Sequence, residues 1–71
     1  MGNSDEIRKI GSKIAYYRRL KGLSQRVLGE LVGVSRSKIS DIELGKDNLD
    51  IELFAKIAER LGIDYSEIIK G

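Results

Sequence analysis

The stretch Gln25–Leu44 reads QRVLGELVGVSRSKISDIEL. Its apolar residues follow a helical spacing, stop, and start again. Leu28, Leu31 and Val32 mark one face of a short helix expected over 25–32, and Ile39 and Ile42 mark a second over 36–44. Between them Val32-Gly33-Val34 has to reverse the chain within a few residues. Such a turn favours a residue that tolerates positive φ, and Gly33 supplies it. Helices joined this tightly also cross closely, so a small residue is needed on the first where it meets the second, and Gly29 stands there. The inward positions Leu28, Val32, Val34, Ile39 and Ile42 are all apolar. Ser24 and Ser35 each stand one residue before a helix, where a hydroxyl can accept from an orphan backbone N–H.

The same punctuation extends outward. Gly22, Gly45 and Gly62 each follow a helical segment, the place for a left-handed C-cap. Asn3 with Glu6 and Asp64 with Glu67 have the spacing of a capping box, and Asp50 is placed as an N-cap. Ile7, Ile10, Ile14 and Tyr17 line one face of a first helix over 4–21. Leu53, Phe54, Ile57, Ala58 and Leu61 line a helix over 51–61, and Tyr65, Ile68 and Ile69 a short last one over 65–70. No segment alternates as a half-buried strand does. The expectation is an all-α fold, five helices packed into a single domain over 1–71.

Composition narrows the chemistry. The 71 residues are 41% hydrophobic and 34% charged, enough apolar matter for one core. There is no Cys, His, Pro or Trp. A disulfide framework is therefore excluded, as are the usual zinc and copper sites and the His-dependent catalytic triads. No cofactor or metal is expected, and what remains for an enzyme is carboxylates scattered over separate helices. The longest apolar runs are too short for a membrane span or a signal-peptide core. The lack of Cys fits a reducing cytoplasm.

At about 100° per residue, Ile39 and Ile42 define the inward side of the third helix. Arg36, Ser37, Ser40, Asp41 and Leu44 lie opposite, with Lys38 and Glu43 on the flanks. This is the face a helix inserted into a DNA major groove would present. Arg36 can pair with guanine O6 and N7. Ser37 and Ser40 can donate to or accept from base edges. Asp41 can accept from cytosine N4 but repels phosphate, and Leu44 either touches a thymine methyl or lies beyond the groove. Lys38 is read as a phosphate ligand rather than a base reader.

From Ile10 to Ile69 the chain resembles the lambda-repressor-like helix-turn-helix of the Xre/Cro family. The resemblance rests on Gly22-Leu23-Ser24-Gln25, Leu28, Gly33-Val34-Ser35, Ile39-Ser40, Glu43-x-Gly45-Lys46, Asn48 and Ala58-x-x-Leu61-Gly62. It implies a five-helix fold that binds double-stranded operator DNA, usually as a homodimer, and mostly represses transcription. It implies base reading by Arg36, Ser37, Ser40 and Asp41, and a phosphate contact by Gln25. Lys46 and Asn48 would form a second phosphate clamp. Arg18 and Glu43 match a pair that often forms an internal salt bridge. Tyr65, Ile68 and Ile69 fall where the family often builds a dimer seam, although they can equally cap the core.

Four positions depart from the family pattern. Gly29 stands where Ala is common and should cost up to about 1 kcal/mol in helix propensity. Leu49 replaces the usual Pro after the loop Asn, leaving that loop less rigid. Arg26 and Val27 replace an acidic pair, which makes the second helix more basic and adds Arg26 to the phosphate ligands. The same fold also serves protein-interaction modules, such as an antitoxin or a restriction-modification controller that binds DNA with or without a partner.

The formal net charge of +2 conceals a split. Residues 1–46 carry ten basic and five acidic side chains, and residues 47–71 carry three and six. The basic half holds the helix-turn-helix, as a surface facing DNA requires.

Overall fold

A computed structural model of the chain describes residues 3–47 and 49–64. These form four α-helices, α1 (Asn3–Leu20), α2 (Gln25–Val32), α3 (Arg36–Glu43) and α4 (Ile51–Leu61), with no strand among the described residues. The all-α architecture is as expected, but four helices are seen rather than five. The helix expected over 65–70, with Tyr65, Ile68 and Ile69, lies outside the described residues, as do Asn48, Glu67 and the side chain of Asn3. Three ends also differ by one residue, the first being the start of α1 at Asn3 rather than at 4. Lys21 belongs to the turn after α1, and Leu44 is the C-cap of α3.

Local chemistry accounts for the boundaries. Ser24 Oγ accepts from the Val27 N–H at 3.0 Å and Ser35 Oγ from the Lys38 N–H at 3.1 Å. Asp50 Oδ1 accepts from the Leu53 N–H at 2.8 Å. Each thus satisfies one donor that its helix cannot. Gly33 closes α2 at φ 82°, a conformation that costs a side-chain-bearing residue about 1–2 kcal/mol. The Gly29 carbonyl then accepts both the Gly33 and Val34 N–H groups, at 2.8 and 2.9 Å. One carbonyl therefore anchors the whole turn between α2 and α3.

The core forms where the helices converge. Ile14, Leu28, Val32, Ile39, Ile42, Leu53, Ile57 and Leu61 make one cluster, and Phe54 and Ala58 lie beside it. Burial of each large aliphatic side chain contributes about 1.5–3 kcal/mol. Every helix contributes at least one of these residues, so none of the four can bury its face alone. Leu31, expected on the inner face of α2, is exposed. Val34 is half-buried, packed on the rim of the cluster with Ile10 and Tyr17. The Tyr17 ring meets the exposed Tyr16 ring edge-on, 5.2 Å between centroids.

Two close approaches set the position of α3. On its α2 side, a Cβ at Gly29 would lie 2.6 Å from the Val34 carbonyl oxygen. Propensity alone favours alanine there, but the crossing leaves no room for one unless backbone shifts. On its α1 side, a Cβ at Gly11 would collide with the Ile42 carbonyl oxygen and lie 2.7 Å from that of Glu43. Gly11 was not singled out from the sequence. An isolated glycine inside a helical pattern was the available signal.

A buried ion pair holds the same junction. Arg18 Nε donates to Glu43 Oε2 at 2.6 Å and Arg18 Nη2 to Glu43 Oε1 at 3.1 Å. Arg18 Nη1 donates to the Leu23 carbonyl at 2.7 Å, and Gln25 Nε2 to Glu43 Oε1 at 2.9 Å. The two charged side chains are only 10% and 5% exposed. Their charges are compensated and their polar atoms paired, the condition under which a buried ion pair is tolerated.

Two stability predictions follow from this packing. Gly11→Ala should gain up to about 1 kcal/mol of helix propensity yet lose about 1–3 kcal/mol to overpacking, a net loss in urea unfolding. Unchanged or increased stability would mean that α1 and α3 can separate at no cost. Arg18→Met strands the Glu43 carboxylate and should cost about 3–5 kcal/mol, whereas Arg18→Met with Glu43→Leu should recover much of that loss. Equal loss in the single and double variants would show that the charge left behind is not the cause.

Candidate nucleic-acid interface

The α3 helix has two chemically distinct sides. Ile39 and Ile42 face the core at 0% and 2% exposure. Arg36 and Ser37 are exposed, Ser40 and Asp41 half-exposed, and Leu44 is 57% exposed. Among the described residues, none of the side chains of Arg36, Ser37, Ser40 and Asp41 makes a hydrogen bond or ion pair. The four expected base readers therefore share one outward face of a helix whose other side is locked. Every donor and acceptor on them is available to an external partner.

The expected phosphate ligands are placed less uniformly. Lys46 is exposed beside the C-terminal end of α3, its N–H donating to the Asp41 carbonyl at 2.8 Å. Gln25 opens α2 half-buried, with one amide hydrogen given to Glu43. Arg26 pairs with Glu30 one turn on, at 2.8 Å, with both side chains about two-thirds exposed (67% and 63%). An exposed pair at this spacing is worth about 0.3–0.5 kcal/mol, so it holds Arg26 only weakly. Asn48 lies outside the described residues.

Lys38 is engaged within the chain. Its Nζ sits 2.8 Å from Asp47 Oδ2, with the two side chains 35% and 38% exposed. This pair ties the middle of α3 to the loop before α4. The role of Asp47 was missed from the sequence, because a separation of nine residues across a turn carries no periodic signal. The Arg18–Glu43 pair supports the site from behind, since Glu43 is the last residue of α3 and Gln25 the first of α2. One carboxylate thus sets the C-terminal end of α3 against the start of α2.

The wider surface follows the charge division. Apart from the buried Arg18–Glu43 pair, α1 to α3 carry Arg8, Lys9, Lys13, Arg19, Arg26, Arg36 and Lys38 against Asp5, Glu6, Glu30 and Asp41, whereas α4 and its N-cap carry Asp50, Glu52 and Glu59 against Lys56 and Arg60. No helix of the described residues is long and apolar enough to cross a membrane.

Known proteins share this arrangement. A family model described as helix-turn-helix matches residues 14–68. An uncharacterized HTH-type transcriptional regulator of Methanocaldococcus jannaschii is 40% identical over 57 residues, 80% of this chain and 86% of the relative. Another from Sinorhizobium fredii is 32% identical over 60 residues, 84% of this chain and 78% of that protein. The solved structure of the restriction-modification controller protein C.AhdI from Aeromonas hydrophila superposes with a TM-score of 0.89 at 31% identity. That match covers 96% of this chain and 99% of the controller. The clp gene regulator ClgR from Corynebacterium glutamicum gives 0.85 at 26% identity, over 92% and 84% of the two chains. The turn, its two flanking helices and these matches together place the chain in the Xre/Cro-like helix-turn-helix family of DNA-binding transcription regulators.

Proposed function

We propose that this chain is a sequence-specific repressor that binds a pseudo-palindromic operator in double-stranded DNA as a homodimer. The observation that carries this reading is the state of α3: its inner side is buried and its outer side offers Arg36, Ser37, Ser40 and Asp41 without internal partners. A polar helix face that the fold leaves unsatisfied, on a small rigid body, suits insertion into a major groove. Arg36, at the N-terminal end of α3, pairs with guanine. Ser37 and Ser40 read neighbouring base edges, and Asp41 accepts from cytosine.

Gln25, Arg26, Lys46 and Asn48 supply phosphate contacts, which set affinity and its salt dependence. Gln25 uses its second amide hydrogen for this, because the first is committed to Glu43. Lys38 joins them when it exchanges Asp47 for a phosphate. Two copies, joined through Tyr65, Ile68 and Ile69, present their reading helices about 34 Å apart, one turn of the duplex.

A second reading is a restriction-modification controller. It is favoured by the likeness to C.AhdI, which extends over 99% of that protein.

Binding-site selection from random duplexes, with stoichiometry measured at several salt concentrations, tests the proposal. The expected result is a two-fold symmetric site bound by two chains, with affinity falling steeply as salt rises. Binding without sequence preference would sink it. Arg36→Ala should cost about 1–3 kcal/mol at a single base pair and relax specificity there. Uniform weakening on all sequences would assign Arg36 to phosphate instead.

A further inference from the structure

A surface groove runs between α1 and α3, beside the reading face. Its walls are Ser12, Ala15 and Arg19 from α1, and Ser40 of α3 with the C-cap Leu44, with Gln25 at one end. The α1 residues recur at three- and four-residue intervals, so they form one continuous stripe along that helix. Ser40 and Gln25 belong both to this groove and to the expected DNA contacts. Glu43 reaches the groove too, but both of its carboxylate oxygens are held by Arg18, and Gln25 adds a third bond. The floor is therefore electrostatically closed. Arg19 on the rim is exposed, and its guanidinium has no partner among the described residues.

The stripe continues to Arg8, whose side chain lies against Gly45: a Cβ there would come within 2.7 Å of Arg8 Cγ. Gly45 immediately precedes Lys46, an expected phosphate ligand. One face of α1 thus carries a cation at each end, Arg8 beside the Lys46 loop and Arg19 beside the start of α2. Eleven residues of helix separate them by about 16 Å. The α1 wall of the groove between them is Ser12 and Ala15, both short side chains.

We infer that the α1–α3 groove seats one sugar–phosphate strand of the DNA while α3 enters the adjacent major groove, and that Arg19 is a phosphate-binding residue. This rests on the DNA-binding reading above and adds α1 to the interface. Ser12 donates to the same strand, and Arg8 meets it at the far end beside Lys46. The contact carries no base information, because a phosphate is the same at every step.

The test is affinity against salt concentration for wild type, Arg19→Gln and Arg60→Gln, each on the selected site and on random duplex. Arg60 is an exposed arginine on α4, which lends no residue to this groove. Loss of one phosphate contact lowers the slope of log affinity against log salt by about 0.9. Arg19→Gln should therefore lose about threefold less affinity than wild type between 50 and 200 mM salt, the slope change of about 0.9 over a fourfold salt range. It should also bind more weakly than wild type by the same factor on both duplexes at low salt. Arg60→Gln should track wild type. A wild-type slope in Arg19→Gln, or an equal change in Arg60→Gln, overturns the groove while leaving the DNA-binding reading intact. Wild-type protein without salt-dependent affinity overturns both. A loss confined to the selected site assigns Arg19 to base reading and also overturns the proposal. Thermal unfolding of Arg19→Gln should match wild type, since the side chain makes no tertiary bond, so weakened binding is not misfolding.

Discussion

The buried pair between Arg18 and Glu43 is the interaction on which the rest of the structure depends. Its partners come from α1 and from the last residue of α3, and its hydrogen bonds extend to the loop at Leu23 and to the first residue of α2. Three helices and a connection therefore meet at one ion pair. The apolar cluster drives the helices together, but such burial is not directional. Hydrogen bonds at 2.6 to 3.1 Å around Glu43 are directional, and they fix rotation and register where the apolar contacts alone would tolerate several. The bare backbone of Gly11, pressed against the carbonyls of Ile42 and Glu43, fixes the depth at which α3 sits on α1. Orientation and distance of α3 thus have separate causes.

Much of this was legible in the sequence because it is local. The caps at Ser24, Ser35 and Asp50 need only a short polar side chain and the N–H three residues on, and they form as their spacing implies. The inner sides of α2, α3 and α4 follow from a 3.6-residue period. The features not legible depend on which elements meet in space. Gly11 reads as a weak point in a helix until α3 is laid across it. Asp47 reads as a loop residue until Lys38 reaches it. Leu31 fails for the opposite reason: its position fits the period, but no neighbouring element covers it.

The candidate site divides along the same line. The outward placement of Arg36, Ser37, Ser40 and Asp41 follows from one helix and its inner residues, so periodicity suffices to place them. The intramolecular partners of Gln25, Arg26 and Lys38 depend on groups in other turns or loops. Those partners set how much of each cation or amide is left for an external acceptor. Arg26 is weakly held and exposed, whereas Lys38 is tied across a turn to a residue of another loop. The charges are therefore not equivalent, although a count of basic residues treats them as such.

The separation of the two sides of α3 has a consequence for how such a protein can diversify. Residues that set the helix in place, Ile39, Ile42 and Glu43, point inward and are bound on every side. Residues that would choose a sequence, Arg36, Ser37, Ser40 and Asp41, form no bonds within the described fold. Replacing the second group perturbs almost nothing that holds the first. Recognition can then be rewritten one position at a time on an unchanged scaffold, with little stability spent at each step. Duplicated copies of such a chain can drift to new target sequences without passing through an unfolded intermediate.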